Sequence, residues 1–254
     1  MIAATLPAGG GEEGGWGLLT LEPPNFEPMF QPGNRYRLPD PDGTEAVVEV
    51  HNAGLLHLPT GRVVACDPFW GSDVQRQVAP FTVTVPPGRY PVSVAAIRTD
   101  PLDPDDPDPL RLGVAAKLTI RQEPVVAWEV ALQPGQDLAA LAPDEIYCLG
   151  VDSGNASFFD AAAIAAVVPL GEWGIDFEKG ELRPERERFL AELHRKAWAN
   201  LVVDPVADLN VVMFDCGLGD GGYATWIGRT AAGAPACFVV DLLLLSDCFG
   251  PLTD

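Results

Sequence analysis

Short apolar and alternating runs, many rich in valine, recur along the chain from residue 45 onward, with Gly, Pro, Asn and Asp between them. Residues 45–50, 55–58, 63–66, 81–85, 90–97, 112–120 and 125–132 have the length of strands. In Phe81-Thr82-Val83-Thr84-Val85 the apolar positions alternate, so one face is buried and the other wet. Residues 89–94 show the same alternation, and Pro86-Pro87-Gly88 between them carries turn chemistry. An antiparallel hairpin between 81–85 and 90–97 follows. Further strands are predicted at 209–214, 223–227 and 236–245, with 229–235 as a hairpin loop.

Two segments change to helical spacing. Residues 159–168 are Ala-rich, and 184–200 open on Pro184 with Glu185 and Glu187 in the first turn and Arg195 and Lys196 near the end. Phe189, Leu190, Leu193, Ala197 and Trp198 recur every three or four residues and form one apolar stripe, which predicts a helix packed on a sheet.

These elements imply a mainly β fold with an α+β C-terminal part: sandwich-like sheets plus helices at about 159–168 and 184–200. Residues 1–44 read as a Gly/Pro-rich N-terminal arm packed at intervals through Trp16, Phe26, Phe30 and Tyr36, its first dozen residues mobile. Residues 45–254 read as a single β-rich domain, with a sandwich-like half at 45–132 and an α+β half at 145–245. No Ser/Gly-rich or long polar stretch divides the motifs, so one continuous core is expected across 45–245. The 26 Gly and 25 Pro exclude a long-helix architecture.

Composition narrows the partners. Lys and Arg number 16 against 36 Asp and Glu, a net charge of -20, so phosphate backbones and anionic membranes are repelled. Nucleic acid and membrane are therefore excluded as expected partners. The opening residues lack a basic n-region, and no apolar run has the roughly 18 residues of a membrane span, which leads to the expectation of a soluble, cytoplasmic protein. Cys66, Cys148, Cys216, Cys237 and Cys248 are widely spaced in apolar runs and read as reduced core thiols. The acidic loop containing Asp103, Asp105, Asp106 and Asp108 lacks the glycine of a calcium loop and reads as solvated.

Candidate chemistry concentrates in two segments. The first runs Gly150-Val-Asp152-Ser153-Gly154-Asn155-Ala-Ser-Phe-Phe-Asp160, and the second Asp215-Cys-Gly-Leu-Gly-Asp220-Gly221-Gly222-Tyr223-Ala-Thr-Trp226. Asp152 stands at a strand end, Gly154 and Asn155 permit a left-handed turn, and Asp160 suits a helix terminus. Ser153 lacks the spacing of a nucleophile elbow. The glycines of the second segment fit neither a P-loop nor a dinucleotide fingerprint, and a tight turn with Asp220 bonding its own loop is the alternative. A binding site is expected from Asp152, Ser153, Asp160, Asp220, Gly221, Tyr223 and Trp226. Arg89 and Tyr90 would supply a counter-charge and a stacking face.

Together with Leu58-Pro-Thr-Gly-Arg-Val-Val-Ala-Cys-Asp-Pro-Phe69 and Val85-Pro-Pro-Gly-Arg-Tyr-Pro-Val92, these ordered motifs resemble the bacterial family known as domain of unknown function 4241. The resemblance runs from about residue 55 to 245 and implies one shared fold, with no activity attached.

Two function classes follow. One is a non-catalytic binding or interaction protein, a neutraliser of a basic protein partner, suggested by the charge. The alternative is a divalent-metal-dependent hydrolase using an aspartate cluster. Its metal would be held by Asp152 and Asp220, with Asp160 and Asp215 as further ligands and Asp67 or Asp241 as outer members. Oxygen ligands would select Mg2+, Mn2+ or Ca2+.

Overall fold

A computed structural model describes residues 2–5, 25–38, 45–69, 78–99, 110–142, 145–172, 175–176, 181–182, 184–242 and 245. In chain order its strands are β1 (Ile2–Thr5), β2 (Arg35–Arg37), β3 (Glu45–Leu58), β4 (Val63–Cys66), β5 (Gly88–Thr99), β6 (Leu110–Thr119), β7 (Ala127–Val130) and β8 (Glu145–Val151). They continue with β9 (Asn155–Asp160), β10 (Ile175–Asp176), β11 (Glu181–Leu182), β12 (Trp198–Asp204), β13 (Leu209–Asp215), β14 (Gly221–Tyr223), β15 (Thr225–Arg229) and β16 (Pro235–Asp241). The helices are α1 (Phe26–Met29), α2 (Ile164–Glu172) and α3 (Pro184–Lys196).

The protein is mainly β. A seven-stranded antiparallel sheet has the order β2-β3-β5-β6-β16-β15-β7, and a four-stranded one the order β12-β13-β9-β4. Each draws strands from both the 45–132 and the 145–245 stretches, because β15 and β16 join the first sheet and β4 the second. Strand alternation sorts the side chains between layers. Val212 and Phe214 of β13, Phe158 of β9 and Val63 of β4 meet Leu56, Val94, Leu118 and Phe238 of the large sheet in the central core. Val211 and Met213, with Phe159 and Val64, point the other way onto Val167 and Leu193 of α2 and α3. On the far face of the large sheet, Ile97, Trp226 and Val239 are covered by Phe26 and Met29 of α1. A three-stranded sheet, β1-β8-β14, lies beside them, and among the described residues β10 pairs with β11 alone. Ile146 of β8 joins the outer core and Val151 the central one.

Several elements differ from expectation. Residues 81–85 form no hairpin with 90–97: β5 is paired on one side with β3 and on the other with β6, so no edge is left for them. The segment instead runs beside β4, where Phe81 N donates to Val63 O, Val85 N donates to Gly61 O, and Thr84 bridges Arg62. Residues 45–50 and 55–58 are one strand, interrupted by a bulge between Asn52 and Leu55. Phe159 belongs to β9, all six of whose residues are buried, and the helix starts later and runs through Pro169. The second helix stops at Lys196; Ala197 takes φ 64°, and Trp198 opens a strand paired with β13. In the arm, Phe26 and Tyr36 are buried as expected, although Phe26 opens a helical turn. Of the first dozen residues, 2–5 form β1 on β8 and the others lie outside the described residues. The hairpin at 229–235 is formed by β15 and β16. The acidic loop at 100–109 and Cys248 lie outside the described residues, and the other four cysteines are free thiols. Among the described residues no helix is long and apolar enough to cross a membrane.

Candidate functional site

The two acid-glycine segments lie side by side. β14 pairs antiparallel with β8, with Gly221 opposite Val151, Gly222 opposite Gly150 and Tyr223 opposite Leu149. Continuing that register by one residue sets Asp220 across from Asp152. Behind them Cys216 N donates to Gly154 O at 2.9 Å. Gly154 has φ +69°, a left-handed position that glycine occupies without strain, and a Cβ on it would stand 3.8 Å from Gly219 Cα. The two turns therefore touch backbone to backbone, with Asp152, Asp220 and Gly221 exposed and Ser153 half-buried.

One buried side chain holds the first turn. Asp67, at 0% exposure, follows β4 and reaches across to the 152–153 backbone. Its Oδ2 accepts from Asp152 N at 3.0 Å and Ser153 N at 2.9 Å, while Oδ1 accepts from Ser153 Oγ and Phe69 N, both at 2.8 Å. Burial pushes the Asp67 carboxyl above its ordinary range, and these four donors oppose the shift without cancelling it. The Ser153 hydroxyl is thus donated to a carboxylate that positions the turn. Asn155 Nδ2 adds a bond to Ser153 O at 2.7 Å. Arg186 of α3 packs nearby, its guanidinium 4.8 Å from the Phe69 ring centroid and its Nη1 donating to Leu170 O and Gly171 O at the end of α2.

The remaining expected residues go elsewhere. Asp160 sits at the far end of β9, roughly 17 Å from Asn155 at strand rise. Its Oδ1 accepts from Thr60 Oγ1 at 2.7 Å and Ala162 N at 2.8 Å, and its Oδ2 accepts from Thr60 N at 3.0 Å. Asp160 is therefore the cap of the 3-10 turn at 161–163 and the anchor of the 58–61 turn. Tyr223 is buried and donates its hydroxyl to Gly219 O at 2.7 Å, closing the second turn from inside; burial pushes its phenol up. Trp226 faces the outer core, with its ring 6.4 Å from that of Phe26.

Arg89 and Tyr90 do not join the pair. Arg89 is salt-bridged to Asp208, and Tyr90 OH donates to Pro86 O at 2.6 Å. Asp208 precedes β13, whose other end, Asp215, adjoins the acid-glycine turns, so Arg89 lies roughly 20 Å away along the strand. The alternation of residues 89–94 holds, but β5 runs in the opposite sense to that needed to aim Arg89 at Asp152.

Asp215 is the other acid at the junction. Its Oδ1 accepts from Gly113 N at 3.1 Å, and burial pushes its carboxyl up against the pull of that N–H and of His194. A Cβ on Gly113 would fall inside the Asp215 carbonyl oxygen, so glycine is what lets β6 approach this turn. Among the described residues no three His, Cys, Asp or Glu side chains form a group that could hold a metal. The acids of the expected ligand set are dispersed: Asp160 and Asp67 are committed to backbone amides, and Asp152 and Asp220 alone share an edge.

The role of Asp67 was missed beyond its place as an outer ligand; Val-Val-Ala-Cys-Asp shows only an acid after a buried strand.

The fold and this junction define a layered, β-rich protein built on two facing antiparallel sheets. The chain belongs to a family described as protein of unknown function (DUF4241), whose model matches residues 56–240. The match spans Asp67, both acid-glycine turns and the strands that bring them together. No curated protein and no solved structure matches the chain.

Proposed function

We propose that this protein is a non-catalytic binding protein that docks a basic protein partner on the edge formed by Asp152 and Asp220. The observation that supports the reading is the anchoring of that edge. Asp67 fixes the backbone of Asp152 and Ser153 from inside, and Tyr223 closes the facing turn, while the Asp152 and Asp220 side chains are exposed. A carboxylate pair held this way loses little further freedom on binding, and a net charge of -20 steers a cationic partner toward it.

The test is capture of proteins from the source organism's lysate by wild type and by the Asp152→Lys/Asp220→Lys variant, at low and high salt, with melting measured alongside. Wild type retains a discrete basic protein at low salt. The variant loses it at unchanged melting temperature, and raised salt weakens the wild-type interaction. Identical capture by both proteins, or capture indifferent to salt, would remove the basis of this reading.

A further inference from the structure

Lys117 stands where the strand pattern calls for an apolar side chain. β6 is the middle strand of the seven-stranded sheet, and Ala116 and Leu118 on either side of Lys117 fill the central core. Lys117 therefore projects from the opposite face, paired in register with Ser93 on β5 and Val239 on β16. Its ammonium lies 4.1 Å from the Phe30 ring centroid. Among the described residues it makes no ion pair within 4 Å and no hydrogen bond. A half-buried lysine on a central strand, with Glu27 acting on it only at longer range, is a costly residue to keep for packing alone.

Beside it opens a cavity of about 470 Å³. Phe26, Phe30, Trp128 and Val125 supply apolar walls, with Lys117 and Cys237 also lining it. Phe26 and Trp128 meet edge to face at 4.7 Å, which sets a rigid aromatic corner. The volume lies within the range of about 300–1,000 Å³ common to small-ligand sites, and apolar walls with a few polar groups, here Lys117, Glu27, Asn25 and Gln31, are their usual composition. Burial pushes the Lys117 ammonium down, against the pull of Cys237 and Glu27, and an anion entering the cavity would give the ammonium a direct ion pair.

The chemistry of the lining selects the anion. Glu27 is exposed on the rim, and the molecule as a whole is acidic, so a second negative charge on the ligand would be repelled. A phosphate dianion would bring that second charge against a single cation, Lys117. We propose that this cavity binds a small aromatic monocarboxylate, its carboxylate on Lys117 and its ring against Phe26, Trp128 and Val125. The site lies on the outer face of the large sheet and is independent of the acidic edge.

The probes are indole-3-acetate, phenylacetate and benzoate, titrated calorimetrically into the full chain, with tryptamine as a control that keeps the indole and reverses the charge. At least one carboxylate binds at one site per chain, and tryptamine binds at least about tenfold more weakly. Lys117→Met lowers the carboxylate's affinity at least about tenfold, because a charge-assisted hydrogen bond is lost, while its melting temperature stays level or rises. Val125→Trp fills the cavity without touching the lysine and abolishes uptake, which keeps the test open should Lys117→Met fold poorly. No uptake of the three carboxylates at millimolar concentration would overturn the proposal. So would wild-type affinity in Val125→Trp or in folded Lys117→Met.

Discussion

Replacing Asp67 by alanine removes the acceptor for four donors at once: the backbone N–H groups of Phe69, Asp152 and Ser153 and the Ser153 hydroxyl. A hydrogen bond to a charged group contributes about 1.5–3 kcal/mol net, so simple addition would exceed 6 kcal/mol. Two effects reduce that sum. The variant no longer buries a carboxylate, and the 152–153 turn can relax toward water because its outer side is exposed. A net loss of about 4 kcal/mol is expected, comparable with breaking a buried ionic contact. For a chain of this length that corresponds to a melting drop of roughly 8–16 °C. Asp67→Asn should cost about half as much. Its amide can turn Nδ2 toward Ser153 Oγ, which can accept, and keep its oxygen on the 152 and 153 amides, but it loses the Phe69 bond and sets two N–H donors face to face there. Calorimetric melting at neutral pH, with hydrogen exchange at Asp152 and Ser153, measures both quantities. An Asp67→Ala protein that melts within about 3 °C of wild type, with those amides still protected, would refute the argument.

Asp160→Ala removes a cap and both bonds to Thr60, and should cost about 3 kcal/mol by denaturant unfolding, with Thr60→Ala costing less. Arg89→Ala breaks a pair whose side chains are 47% and 55% exposed, so its cost should stay below about 1 kcal/mol in the same assay. Asp215 carries a pH signature. Its folded-state pKa is raised, chiefly by burial, so its favourable contribution is present below the ordinary value of 3.8 and is lost as pH rises through the folded value. Asp215→Asn, neutral throughout, should therefore melt higher than wild type at neutral pH, with the gap closing as pH falls toward 4. A gap that widens on acidification would contradict this.

The β-rich class was legible because valine-rich runs between turn residues have few other uses, whereas partners and strand ends were not. The 81–85 segment has the alternation of a ladder strand, and Phe81 and Val85 are indeed buried, but burial on one face does not say which neighbour supplies the hydrogen bonds. β9 lost its alternation because it is covered by the large sheet on one side and by helices on the other. Six consecutive buried residues then look equally like a helix start. The stripe of α3 continued through Ala197 and Trp198 by coincidence: both are apolar because they pack on the central core, but only after the chain has turned out of the helix. The meeting of the two acid-glycine turns was foreshadowed by glycine beside an acid at two strand ends. What secures them was not, since the partners Asp67 and Ser153 are 86 residues apart.

The most direct test of the proposed docking edge is isothermal titration of wild type and Asp152→Lys/Asp220→Lys with the basic protein recovered in the capture experiment. The expected result is a wild-type affinity that falls steeply with salt and a variant affinity at least about a hundredfold weaker, with both proteins melting alike. Equal affinities for the two proteins would contradict the claim that Asp152 and Asp220 form the docking edge.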